Sequence, residues 1–240
     1  MTRPQQVLLA LVFLTRLPLG RFLPPRMVPL SEAAWAFPLV GALVGAMAGL
    51  PLWLAGPGLL PAALAVALAV WLTGALHEDA LADFADAGGG RTREDRLRIM
   101  RDSTIGSYGT MALIATALIR VAALTALGPL ALIGAAALGR VAPVLLMRAL
   151  PPARSDGLGQ GAGRPSRRAA AMAALIGVLA LWLCAPGPGA AALATVLVGL
   201  SVVAVSRRAC RLLGGQTGDV LGASALLAEC AALVGLALMT

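Results

Sequence analysis

From Ala33 to Leu76 the chain carries no charged side chain, and the turn Gly56-Pro57-Gly58 divides this stretch into two apolar runs. Runs of about 20 residues match the hydrocarbon thickness of a bilayer, and a helix is the one single-segment structure that satisfies every backbone polar group inside it. A tight turn between two such runs predicts a transmembrane hairpin over residues 33–55 and 59–76. The pattern recurs at 108–127 and 130–147 around Gly128-Pro129, and at 169–185 and 190–205 around residues 186–189. A last apolar run, 220–239, closes the chain.

Composition supports this reading. With 59% hydrophobic and 12% charged residues, and a mean hydropathy of +0.87, the chain lacks the polar side chains that a water-facing surface needs. Near the N-terminus the apolar run 7–14 is too short to span, is followed by Arg16 and Pro18, and has no small-residue cleavage site. It predicts a short interfacial or partly inserted helix and not a signal peptide. The expected fold is an all-α, polytopic integral membrane bundle of about seven transmembrane helices plus this short helix. Residues 1–240 are expected to form one membrane-embedded domain. Cys184, Cys210 and Cys230 stand singly without metal-type spacing and read as small packing residues in a reducing compartment.

All nineteen basic residues are Arg, and the net charge is +8. Nearly all of them fall in four polar segments, 16–26, 91–101, 148–168 and 207–211, while the three Gly/Pro turns carry none. The positive-inside rule puts all four segments on the cytoplasmic side of the inner membrane. Because the Arg residues follow topology and lack interleaved aromatics, nucleic-acid binding is not expected.

The polar chemistry is concentrated between His77 and Gly109, which holds seven of the eleven acidic residues. In a helix Asp79, Asp83 and Asp86 fall at i, i+4 and i+7 and share one stripe. Three adjacent carboxylates repel one another unless a cation joins them, and an oxygen-only set suits Mg²⁺ or Mn²⁺. Gly88 to Gly90 and then Arg91, Arg93, Arg96, Arg98 and Arg101 follow, a flexible backbone next to phosphate-binding side chains. Together these features point to phosphoryl-type transfer at the cytoplasmic face. Glu94, Asp95, Arg96 and Arg98 are expected to form a solvated face with local ion pairs. His77 lies on another side of the helix from the Asp stripe, and a packed boundary role and a catalytic role both stand for it. Within apparent spans, Arg120 is expected to snorkel to its helix end and Arg140 to face an acid or an anion. For Glu229 a structural ion pair and a site role both remain open.

The order His77-Glu-Asp79-x-Leu81-Ala-Asp83-x-x-Asp86, followed by Arg96-Leu-Arg-Ile-Met100-Arg-Asp102-Ser-x-Ile-Gly106-x-x-Gly109, resembles the signature of the adenosylcobinamide-GDP ribazoletransferase (cobalamin synthase) family. Further similarities are Phe37-Pro-Leu-Val-Gly41, Arg154-x-x-Gly157-Leu-Gly159, and Gly214-Gly-Gln-Thr217-Gly218-Asp219-x-Leu-Gly222-Ala223 with Glu229. Ala80 and Ala87 stand where the family pattern has Gly.

The resemblance implies a membrane-bound enzyme of final-stage cobalamin biosynthesis that joins adenosylcobinamide-GDP to α-ribazole or its 5′-phosphate with release of GMP and a requirement for Mg²⁺. It implies that Asp79, Asp83 and Asp86 hold the metal, and that Asp102 or Asp219, with His77 beside them, completes the metal shell or accepts a proton. Substrate binding would then fall to Arg101, Arg140, Arg154, Gly157, Gly159, Thr217, Gly218 and Glu229. Membrane lipid is an expected partner, and homo-oligomers or complexes with other corrinoid-pathway enzymes are compatible with the same expectation. Two other readings are a CDP-alcohol phosphatidyltransferase, whose Asp-Gly and Ala-Arg pattern is not found, and a transporter with Arg140 and Glu229 as coupling pair.

Overall fold

The structure, a computed structural model, describes residues 1–24 and 28–240. Arg26, part of the first Arg-bearing segment, lies outside the described residues. The described chain is helical throughout: α1 (Arg3–Leu14), α2 (Phe37–Ala48), α3 (Leu50–Ala55), α4 (Leu59–Thr73), α5 (Leu76–Asp86), α6 (Arg93–Ile99), α7 (Ser107–Leu124), α8 (Pro129–Gly139), α9 (Val141–Ala149), α10 (Gly157–Gly161), α11 (Arg167–Cys184), α12 (Pro188–Leu213) and α13 (Gly218–Ala237). Among the described residues the β-type pairing is a single isolated bridge, Pro152 with Gln216.

Among the described residues five segments are long and apolar enough to cross a membrane: α7, α8 with α9, α11, α12 and α13. A sixth is reached if α4 and α5 count as one span bent by 89°. Among the described residues length and composition do not confirm the expected count of about seven. The run at 33–55 divides into α2 and α3 at Gly49, with Pro51 in the first turn of α3. The run at 59–76 stops early because Gly74 and then Ala75 adopt left-handed backbone, φ +65° and +59°. The acidic helix α5 therefore leaves α4 at nearly a right angle instead of continuing from it. Further along, residues 206–213, expected as a polar segment, remain helical as the end of α12. Val205, Ala209 and Leu213 recur at i, i+4 and i+8 and are all buried, so one apolar stripe carries the helix past Arg207, Arg208 and Arg211.

The bundle has an inside and an outside. The α8–α9 span is 83% buried and α13 72%, against 22–28% for α7, α11 and α12, so the former two form the centre. The first helix is a 12-residue element tied down by the Arg16 N–H, which donates to Leu72 O at 2.8 Å, and by stacking of Phe13 on Phe37.

Charges inside this apolar centre are paired with one another. Glu229 of α13 lies between Arg140, at the α8–α9 junction, and Arg120 of α7, and all three side chains are at most 6% exposed. Arg140 donates a hydrogen bond to Glu229 Oε2, while Arg120 Nε stands 3.4 Å from Oε1 without hydrogen-bond geometry. Arg120 Nη1 also donates to Glu78 Oε1 of α5 at 2.8 Å. Arg120 thus does not snorkel: it faces α5 and α13, where it meets the carboxylates of Glu78 and Glu229. Gly139 makes the contact available, since a Cβ there would sit 2.9 Å from Ala225 O and 3.0 Å from Glu229 Cβ.

Removing one member of a buried ionic group leaves an uncompensated charge, at a cost of about 3–5 kcal/mol. Glu229→Leu is expected to lower the Tm of the detergent-solubilised protein sharply, and to do so more than Arg120→Leu, which leaves Arg140 and Glu229 paired. Thermal unfolding of the two variants side by side tests this order; equal or negligible shifts contradict it.

Candidate active site

The helical spacing of the acidic stretch is realised in α5. His77, Ala80, Leu81, Ala82 and Phe84 are buried against the bundle, while Asp79 is exposed and Asp83 and Asp86 are half-buried along one edge. The three carboxylates differ in what they do. Asp86 accepts the backbone N–H of Gly106 at 2.7 Å and of Gly109 at 2.8 Å. These groups open α7, so a carboxylate sits where unpaired N–H groups and the helix dipole favour negative charge. Asp86 is therefore anchored, whereas Asp83 faces the negative field of Asp219, Asp79 and Asp86, offset by Arg154.

Asp219 comes from the other end of the sequence. Thr217 caps α13 by accepting the Val220 N–H at 3.3 Å, which sets Asp219 in the first turn. Its Oδ2 receives Arg154 Nη2 at 3.1 Å and Thr217 Oγ1 at 3.2 Å. Arg154 is delivered by the bridge at Pro152: Gln216 N–H donates to Pro151 O and Ala153 N–H to Gln216 O, both at 2.8 Å. Gln216 Nε2 donates to Gly159 O at 2.9 Å, fastening the Gly157–Gly161 turn alongside. Gly218 is the first residue of α13. The 151–161 loop and the start of α13, far apart in sequence, are thus joined by hydrogen bonds at one end of the bundle.

Asp102 does not join this group. It lies in an exposed turn, where hydrogen bonds from Thr104 hold its carboxyl below the usual value, with a smaller contribution from the charge of Arg98. Arg101 forms a two-pronged pair with Asp156 at 2.7 and 2.9 Å on the outer rim. Arg140 and Glu229 are spent on each other inside the bundle.

Two cavities meet at the Arg154–Asp219 pair. One, of about 270 Å³, contains His77, Asp79 and Asp219 at its polar end and Phe13, Phe37 and Met147 among its apolar walls. The other, of about 600 Å³, is an open cleft lined by Arg93, Arg101, Arg154, Ser155, Asp156 and Gln160. Among the described residues no three His, Cys, Asp or Glu side chains converge as a ready-made metal cage. Mg²⁺ does not need one: it is commonly held by one or two carboxylates, water and substrate phosphate, and the oxygen-only set Asp79, Asp83 and Asp219 fits that chemistry.

Other residues contribute in ways that their types alone do not announce. Arg93 donates from Nε to Leu213 O at 2.8 Å and from Nη2 to Ala153 O, and Arg96 donates to Gly90 O at 3.1 Å and Leu212 O at 3.2 Å. Arg96, expected on a solvated face, instead satisfies the last carbonyls of α12, the favoured partner for a cation. Asp95 and Arg98 do form the expected local pair, at 3.3 Å. Glu78 and Gln216 fall inside the motifs without an assigned part; their partners become visible only when α5 meets α7 and the 151–161 loop meets α13.

A family model described as cobalamin-5-phosphate synthase matches residues 6–237. The chain belongs to that family. Among its curated relatives, the adenosylcobinamide-GDP ribazoletransferase of Azorhizobium caulinodans is 48% identical over 94% of this chain and 92% of its own length. The proteins of the same name from Bradyrhizobium diazoefficiens and Mesorhizobium japonicum are 45% and 43% identical, over 90% and 96% of this chain and 86% and 93% of theirs. No solved structure matches the chain. Family membership sets aside the CDP-alcohol phosphatidyltransferase and transporter readings.

The two kinds of acid predict opposite stability effects. Asp86→Ala removes two charge-assisted hydrogen bonds and is expected to lower stability by about 1.5–3 kcal/mol, with faster amide exchange at Gly106 and Gly109. Asp83→Asn relieves like-charge repulsion and is expected to leave Tm unchanged or raised. Destabilisation by Asp83→Asn, or none by Asp86→Ala, contradicts the assignment.

Proposed function

We propose that this chain joins adenosylcobinamide-GDP to α-ribazole or α-ribazole 5′-phosphate, releasing GMP and giving adenosylcobalamin or its 5′-phosphate. The observation that carries the proposal is the pairing of Asp219, which with Asp79 lines the apolar cavity, and Arg154 of the Arg-lined cleft, with Asp83 in the field of both acids. The acceptor's ribose hydroxyl oxygen attacks the cobinamide-bearing phosphorus of the diphosphate. The bond from that phosphorus to the bridging oxygen breaks, and GMP leaves with the electron pair. Catalysis of such a transfer is chiefly positioning and neutralisation of charge.

Each residue has a part in that scheme. In this reading Arg154, Arg93 and Arg101, which line the cleft, bind phosphate oxygens. Arg154 is paired with Asp219, so phosphate that recruits the guanidinium frees the carboxylate to accept the attacking hydroxyl's proton. Mg²⁺, held by Asp79, Asp83 and Asp219, would supply positive charge against the diphosphate. Asp86 acts as a positioning residue by fixing the start of α7 against α5. The four Arg-bearing segments favour the inner membrane, with the site facing the cytoplasm.

Purified protein in liposomes, given both substrates and Mg²⁺, is expected to release GMP in step with corrinoid product and to stop on chelation. Asp83→Asn is expected to lower kcat by about 10²-fold or more with the fold intact. No conversion by folded wild-type protein, or full turnover by Asp83→Asn, would overturn the proposal.

A further inference from the structure

The apolar cavity beside the carboxylates has its own chemical character. Phe13 and Leu14 of α1, Leu30, Phe37 of α2, and Pro143 and Met147 of α9 are among its apolar walls, and His77, Asp79 and Asp219 are the polar side chains in its lining. His77 is 3% exposed, and its Nδ1 has no hydrogen-bond partner. A buried, unpartnered ring nitrogen costs free energy that a bound ligand can recover. The cavity therefore fits a mostly apolar group that carries one hydrogen-bonding ring atom for the His77 side chain.

Resting on the transferase reading above, the geometry points to this cavity as the subsite for the heteroaromatic base of the nucleoside acceptor, with His77 as the hydrogen-bond partner of the base and Met147 as a wall that limits its size. The alternatives among the reactants fit poorly. A guanine ring carries donors and acceptors around its edge that these walls would leave unpaired, and a corrin macrocycle is far too large for about 270 Å³. The benzimidazole of ribazole presents two fused apolar rings and, once glycosylated, one free ring nitrogen. With the base held here, its ribose emerges at Asp79 and Asp219, beside the Arg-lined cleft that suits the diphosphate. The apolar cavity thus selects the acceptor while the Arg cleft takes the donor.

Equilibrium binding of α-ribazole to the detergent-solubilised full chain, followed by the benzimidazole fluorescence, tests the assignment without turnover. Met147→Phe is expected to weaken binding and raise the KM for α-ribazole about 10-fold or more, leaving the KM for adenosylcobinamide-GDP within about twofold. His77→Phe is expected to weaken α-ribazole binding about 10-fold, with partial recovery in His77→Gln, which restores a polar partner. Met147→Ala is expected to improve relative use of a nucleoside with a larger fused base. Unchanged α-ribazole binding in both Met147→Phe and His77→Phe, or a selective rise in the KM for adenosylcobinamide-GDP, overturns the assignment. Wild-type protein that binds α-ribazole in a Met147-dependent way but releases no GMP contradicts the transferase reading while supporting the subsite.

Discussion

One carboxylate deep in the helix bundle sets the arrangement of everything around it. Glu229 draws Arg140 from the α8–α9 junction and Arg120 from α7, and Arg120 in turn holds Glu78 of α5. In an apolar solvent none of these charges has water to fall back on, so each helix must sit where its partner is reached. The same contacts that neutralise the interior thereby fix α5, which carries the acids, against α7 and α13. Gly139 lets α8 approach α13 closely enough for the pair to close.

The surface site depends on that interior in a direct way. The left-handed residues Gly74 and Ala75 turn α5 away from the preceding helix, and Glu78 anchors it from below. Asp79 and Asp83 are then presented to the start of α13, where Thr217 and Asp219 wait. The Pro151–Gln216 pairing brings in Arg154, and Arg93 locks α6 to the end of α12. Acids that repel one another are kept near each other by a scaffold stabilised elsewhere, which offsets the cost of their proximity.

Much of this was legible in the chain. Charge-free runs around Gly/Pro turns gave the helical membrane class, the i, i+4, i+7 spacing gave the Asp stripe, and the motif order gave the family. What was not legible depended on tertiary pairing. Arg120 looks able to snorkel until Glu78 and Glu229 arrive from other helices. Arg96 looks solvated until the end of α12 offers its carbonyls. Asp86 carries the same spacing signal as Asp83, yet the N–H groups of Gly106 and Gly109 make it an anchor. Local periodicity tells which face a side chain occupies; it does not tell which helix will meet that face. The bend after Thr73 has a signal in Gly74, but Ala75 in the left-handed region has none.

Binding of Mn²⁺ to the purified chain, read by its electron paramagnetic resonance signal in the presence of GDP, tests most directly whether Asp79, Asp83 and Asp219 form a cation site. One bound ion per chain, lost in Asp83→Asn and in Asp219→Asn but kept in Asp102→Asn, is the predicted result. Undiminished Mn²⁺ binding in the first two variants, or loss in the third alone, would contradict it.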